Sequence, residues 1–271
     1  MEDPKIVYKY RDWSNAYHRS ILENHELYFA SPGSFNDPFD CRIVNNYGLL
    51  TTNSERLEHA SRIVNENLDL LQKRSLDPNS EIERIAKELE DPEFLQKHQK
   101  GFEKMYFDAQ DKCYGIVSLS KRWDSILMWS HYAKNHEGFC VGFNKQIFID
   151  AIESKELGLV SDVQYHPDEY MPEINPNDDT AKILFTPVTY KASDWAYEEE
   201  FRLFRRKDTE LTKDERIYNF PKEAILEIIL GLHIEPEQEG EIRMFADANK
   251  IPLYKCEKVP FYFKLDRKRI I

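Results

Sequence analysis

Glycine is scarce, with 9 among 271 residues, and no Gly-x-Gly-x-x-Gly run occurs, which removes the dinucleotide fingerprint of a Rossmann fold. Long apolar runs are missing too: none approaches the ~20 residues that a membrane span requires. The four cysteines, Cys41, Cys113, Cys140 and Cys256, form no Cys-x-x-Cys pair, so neither a usual zinc spacing nor a disulfide framework is present. The opening MEDPKIVYKY has two early acids and no apolar core, unlike a secretory signal. These absences predict a cytoplasmic chain with reduced, mostly buried thiols and no membrane partner.

Positive charge is also in deficit, 37 Lys and Arg against 49 Asp and Glu, for a net charge of -12. A field of that sign repels phosphate backbones and disfavours general nucleic-acid binding. Two basic runs depart from it, RLFRRK at 202–207 and KLDRKR at 264–269. Either could hold a phosphate, and either could be a solvated charged face.

With 41% hydrophobic and 32% charged residues, there is enough apolar surface for a core beneath a hydrated exterior. The pattern predicts an α+β fold in a single domain over 1–271, with a central mixed or antiparallel sheet, flanking helices and a helical insertion at about 53–112. A strand is expected at 5–10, a helix capped by Ser14, and a short strand at 26–30 followed by the turn-rich SPGSFNDPFD. The insertion places Leu57, Ala60, Val64, Leu68 and Leu71 at helical spacing, with an interruption near Pro92. CYGIVSL, GFCVGF and AILEIILGL read as strands, ILMWSHYAKN and 239–249 as helices, and 251–264 as one or two closing strands. Residues 167–179, rich in Pro, Asn and Asp, are the expected mobile loop or lid.

Four blocks carry chemistry: YKYR near the start, FNDPFD at 35–40, MWSHYA at 128–133 and WAYEEEFR at 195–202. On a strand, Glu198, Glu200 and Arg202 would share one face, putting two carboxylates in one patch where their pKa values can separate. A solvated strand edge with Arg202 answering the acids, or a helix beginning at Ser193, are the alternatives. Ser118 and Ser120 end a strand as i and i+2 hydroxyls, lining a cleft or simply forming a turn. Asn36 and Asp37 could meet a ligand held between Phe35 and Phe39, or rigidify their own turn. Trp129, His131 and Tyr132 form an aromatic wall or a packed core helix. His131 and His136 are five apart, off the i, i+4 spacing of a helical metal pair, and no metal is predicted.

In order and wording the four blocks resemble a bacterial family catalogued as domain of unknown function 2971. A basic or aromatic first strand, then Ser-x-Ser, then Glu-x-Glu is also similar to the layout of the ADP-ribosyltransferase superfamily. That resemblance implies NAD as substrate, held by Lys9 or Arg11 and supported by Ser118 and Ser120, with Glu198 and Glu200 as the catalytic carboxylates. From the blocks themselves, Tyr10, Asn36, Asp37, Trp129, His131, Tyr132, Trp195 and Arg202 are the further candidate cofactor-binding residues. Glu200 would orient the ribose and Glu198 would position the acceptor, which could be protein or nucleic acid. The first strand departs from a single arginine, and the serine strand lacks a threonine. Two other readings stand beside it. One is a magnesium-dependent nuclease using Asp37 or Asp40, Glu198, Glu200 and Lys207. The other is a non-catalytic binding module, as one half of a toxin or phage-defence pair.

Overall fold

The computed structural model describes residues 5–153, 158–167 and 170–271. The chain opens with β1 (Ile6–Arg11), α1 (Ala16–Glu23) and β2 (Glu26–Tyr28). Asn15 rather than Ser14 caps α1, its side chain accepting from the Tyr17 amide, because Ser14 is turned onto the Asp12 carboxylate. The expected insertion is α2 (Asn53–Glu66), α3 (Leu68–Lys73), α4 (Pro78–Glu88) and α5 (Pro92–Cys113). A Thr52–Glu55 capping box starts α2, and Asp77 and Asp91 cap α4 and α5 with proline just inside each helix. The interruption expected near Pro92 is the break between α4 and α5, with Pro92 opening the second helix, since its missing N–H costs nothing at a first turn.

The chain continues through β3 (Tyr114–Ser120), α6 (Ile126–Tyr132), β4 (Phe139–Asn144), α7 (Lys145–Glu153), β5 (Leu159–Asp162) and β6 (Gln164–His166). It closes with α8 (Thr180–Thr189), β7 (Tyr190–Ala192), β8 (Glu200–Arg206), β9 (Ile217–Asn219), β10 (Ile225–Leu230), α9 (Pro236–Asn249), β11 (Leu253–Lys258) and β12 (Leu265–Arg269). Eight strands form one mixed sheet in the order β12-β11-β10-β4-β1-β3-β8-β5. The β10–β11 pair is parallel, joined through α9 as a parallel connection requires. On one face Val7, Val117, Val141, Phe143 and Leu203 pack with Leu22, Phe148 and Ile242 of α1, α7 and α9. On the other, Tyr8, Tyr10, Cys140 and Ile229 pack with Met128 and Trp129 of α6.

The sheet is not uniformly zipped. β1 pairs with β4 at six positions but with β3 only at Tyr8↔Ser120, so the two central strands splay apart beyond that point. Segment 167–179 is the stretch expected as a mobile loop or lid. Its residues 168 and 169 lie outside the described ones, and residues 174–177 are tied to the segment before the insertion and to the start of α2. Ile174 bridges Asn45, Asn175 donates to Leu49 O, and Asn177 donates to Glu55 O.

Between α6 and β4, Lys134, Asn135 and His136 are all left-handed, with φ of 48°, 54° and 70°, an unfavourable backbone for residues other than glycine. The turn is clamped from outside: Gly231 donates to Gly138 O and His233 to His136 O. A methyl group on Gly231 would sit 2.1 Å from the His136 carbonyl oxygen. Gly231→Ala is therefore expected to destabilise the protein by about 3 kcal/mol, measurable by urea unfolding, and to loosen α6, whose last turn carries the site described next.

Candidate active site

A cavity of about 390 Å³ opens where β1 and β3 diverge, and residues of β1 from both faces line it, Tyr8 and Tyr10 together with Lys9 and Arg11. Ser118 and Ser120 of β3, Phe35, Asn36 and Asp40 of the turn-rich segment, and His131 and Tyr132 of α6 complete much of the wall. Lys191, Glu198 and Glu200 also contribute.

The acids are buried and hydrogen-bonded. Strand β8 begins only at Glu200; residues Ser193–Glu198 form a 3₁₀ turn, and Glu199 is left-handed at φ 43°. The expected continuous strand from Trp195 is thus broken, yet this kink turns Glu198 inward, next to Glu200, and sends Glu199 out to Arg122. Glu198 accepts from Tyr132 OH and from Lys191 Nζ, each at 2.6 Å. Ser120 Oγ donates to the Glu198 carbonyl at 2.6 Å. Glu200 accepts from Arg202 Nε at 2.5 Å, Arg202 Nη2 at 3.0 Å and Lys191 Nζ at 3.3 Å. Arg202 Nη2 reaches Asp40 at 2.6 Å, and Lys191 lies 3.4 Å from the same oxygen.

Three carboxylates are thus shared by two cations, and the shortage falls on one of them. Burial raises the pKa of Glu198, and neighbouring Glu200 adds to this; Lys191 and Tyr132 only partly offset them. Burial alone would raise Glu200 as well, but Arg202 and Lys191 outweigh it and hold Glu200 below the usual carboxylate range. Similar acids two residues apart are therefore driven in opposite directions. Lys191 is raised: burial opposes its charge, and Glu200, Asp40 and Glu198 overcome that opposition.

Across the cavity the imbalance has the other sign. Lys9 donates to Ser118 O at 2.5 Å, and Arg11 makes one long bond, 3.4 Å, to Tyr10 O. Among the described residues neither forms an ion pair with a carboxylate. Burial lowers the pKa of Lys9, with Arg11 adding to it, and burial brings Arg11 down to about 10.

Of the residues singled out in the sequence, Lys9, Tyr10, Arg11, Asn36, Ser118, Ser120, His131, Tyr132, Glu198 and Glu200 converge on this cavity. Four others serve elsewhere. Trp129 is fully buried, edge-on to Tyr10, so it is core, because the helix face that points at the sheet must be apolar. Asp37 accepts from the Phe39 amide and shapes its turn. Trp195 covers the Lys191 ammonium from 4.8 Å, and Arg202 lies behind the wall, supporting Glu200. Phe39 is largely exposed, so no clamp forms between it and Phe35. Lys191 was not anticipated: a lone lysine in a three-residue strand carries no local signal, and its role arises from contacts with Asp40 and Glu200.

Lys191→Met leaves the carboxylates under-compensated and is expected to cost about 3–5 kcal/mol by denaturant unfolding. Glu200 contributes stability that is present above its ordinary 4.5 and lost as pH falls through its lower folded value. Glu198, with a raised folded value, loses stabilisation as pH rises through it. Removing the shared cation moves both upward, so the deficit of the variant should shrink from pH 7 towards pH 4; a constant deficit would show that Lys191 acts by packing alone.

No curated protein and no solved structure matches the chain. The matching segment begins at Met128 and ends at Leu203, and so contains α6, Lys191, Glu198, Glu200 and Arg202: over residues 128–203 the chain matches the family described as protein of unknown function (DUF2971).

Proposed function

We propose that the cavity binds NAD and that the protein is an NAD-consuming, ADP-ribosyltransferase-like enzyme. The observation that carries this reading is the polarity of the cavity: Lys9 and Arg11, which form no ion pair with a carboxylate among the described residues, share it with the buried acid pair Glu198 and Glu200. A ligand that is anionic at one end and develops positive charge at the other is complementary to both sides, and a dinucleotide with a cationic nicotinamide ribose has that form. Its diphosphate would meet Lys9 and Arg11. Its ribose would meet Glu198, with Ser118 and Ser120 alongside and Tyr10, Phe35 or Tyr132 against the ring.

In the reaction the bond between nicotinamide nitrogen and ribose C1′ breaks, and its electron pair leaves with nicotinamide. The positive charge appearing at C1′ is stabilised by the neighbouring carboxylates. An acceptor O–H, from water or a macromolecule, then bonds to C1′ and gives its proton to Glu198. The proton-accepting role falls to Glu198 because Glu200 is held ionised by Arg202 and Lys191, and supplies fixed negative charge. The Asn36 amide donates to Tyr132 OH, which donates to Glu198, a relay that keeps the carboxylate aimed. Consumption of NAD would suit a toxin or a phage-defence protein.

The nuclease alternative is less well supported. Lys207 is ion-paired to Glu215 on an exposed surface, beyond the far end of β8 from Glu200. Glu200 has both oxygens on Arg202 and Lys191, and Asp40 and Glu198 each give one oxygen to these cations, which neutralises the charge a metal ion would have to find there.

Incubation with NAD, followed by thermal shift and nicotinamide release, tests the reading. NAD should raise the melting temperature through binding to the folded state. Glu198→Gln should keep that rise and lose at least ~10²-fold in release rate, whereas Lys9→Met and Arg11→Met should lose the rise. The acid limb of the release rate should fall above pH 4.5, since the essential carboxylate is raised from that value. Wild-type protein giving neither a shift nor release sinks the proposal.

A further inference from the structure

The hairpin joining β11 to β12 ends in a feature that stability does not explain. Val259 accepts from the Tyr262 amide, and Val259 N donates to Lys264 O, so Val259-Pro260-Phe261-Tyr262 is a tight turn with proline in its second position. Phe261, in the third, has φ of 66°. A type II turn places glycine there, because a side chain with a left-handed backbone is strained. Nothing packs on this ring in return: Phe261 and Phe263 are fully exposed and Tyr262 is 73% exposed. Other exposed large apolar side chains among the described residues occur singly or in pairs. A residue that is both strained and exposed, flanked by two further bare rings, points to something outside the molecule.

Charge narrows what that is. Residues 250–271 hold seven Lys and Arg against two acids, in a chain whose net charge is -12. Lys258 and Lys264 flank the tip and Lys268 follows on β12; all three are exposed, and among the described residues none of them makes an ion pair. Lys255 and Arg267 answer Glu239 and Glu227, and Lys258, Lys264 and Lys268 are left to make the hairpin around the aromatic turn locally basic. Three consecutive residues at a turn send their rings in different directions. A folded protein would need a matching hole for each, whereas the headgroup region of a bilayer accepts rings radiating from a convex tip and favours aromatic side chains.

We propose that this hairpin docks the protein peripherally on an anionic phospholipid surface, with Phe261, Tyr262 and Phe263 in the interface and Lys258, Lys264 and Lys268 against the headgroups. The acidic remainder is repelled by the same surface, so docking has one orientation.

The test is co-sedimentation with phosphatidylcholine vesicles, with and without phosphatidylserine, at low and high salt. Wild-type protein should sediment with the serine-containing vesicles only, less so at high salt, and each of Lys258→Gln and Lys264→Gln should weaken partitioning about fivefold. Phe261→Gly should raise the melting temperature, because glycine suits the turn, while losing vesicle binding; Phe263→Ser should lose binding without that rise. Absence of wild-type binding, or Phe261→Gly binding as well as wild type, overturns the proposal. So does hairpin-dependent self-association in sedimentation velocity without vesicle binding, which would assign the tip to a protein contact.

Discussion

The sharing of Lys191 and Arg202 among Asp40, Glu198 and Glu200 is the constraint on which the rest of the site depends. Ionised groups withdrawn from water are tolerated only when each finds a partner, and these five come from four separate parts of the chain: the turn-rich segment that holds Asp40, β7, the 193–198 turn and β8. Satisfying them fixes how those parts meet. Arg202 also donates to Val188 O at the end of α8, and Tyr165 OH accepts from the Glu200 amide, so the small β6–β7 ribbon is drawn into the same arrangement. A deficit of one positive charge separates the two glutamates, with Glu200 held ionised by Arg202 and Lys191 and the pKa of Glu198 raised by burial.

The opening between β1 and β3 supplies the counterpart. A fully paired central sheet would bury Lys9 and Arg11 against an apolar layer that also contains Val7, Val117 and Leu119, at a prohibitive desolvation cost. Ending the pairing at Tyr8↔Ser120 lets both side chains enter a polar cavity instead. The clamped left-handed turn after α6 then holds Tyr132 over Glu198. Strand separation, ionic cluster and turn together produce a cavity that is cationic on one side and acidic on the other.

Much of the architecture was legible from residue pattern. Buried central strands such as YGIVSLS and ILEIIL are almost continuously apolar, and the insertion advertises itself through helical spacing and Asp-Pro starts, because those signals act over a few residues. Elements governed by distant partners are less legible: α7 and α8 carry no clear local signal, and β8 starts five residues later than the alternation from Trp195 suggests, because the left-handed Glu199 interrupts it. For the site, YKYR, Ser118, Ser120, MWSHYA and Glu198–Glu200 were visible as blocks. The separation of Trp129 from Tyr132, one in the core and the other on the cavity, was not.

By itself the sequence determined the fold class, the helical insertion, the acidic surface and the residue types available for chemistry, since composition and short-range periodicity encode these directly. Tertiary structure decided which charges neutralise one another, and that Lys191 belongs with acids that precede and follow it in the chain. The physical reason is that a pKa and an ion pair depend on distance and burial in space, and neither quantity is a property of neighbours in sequence.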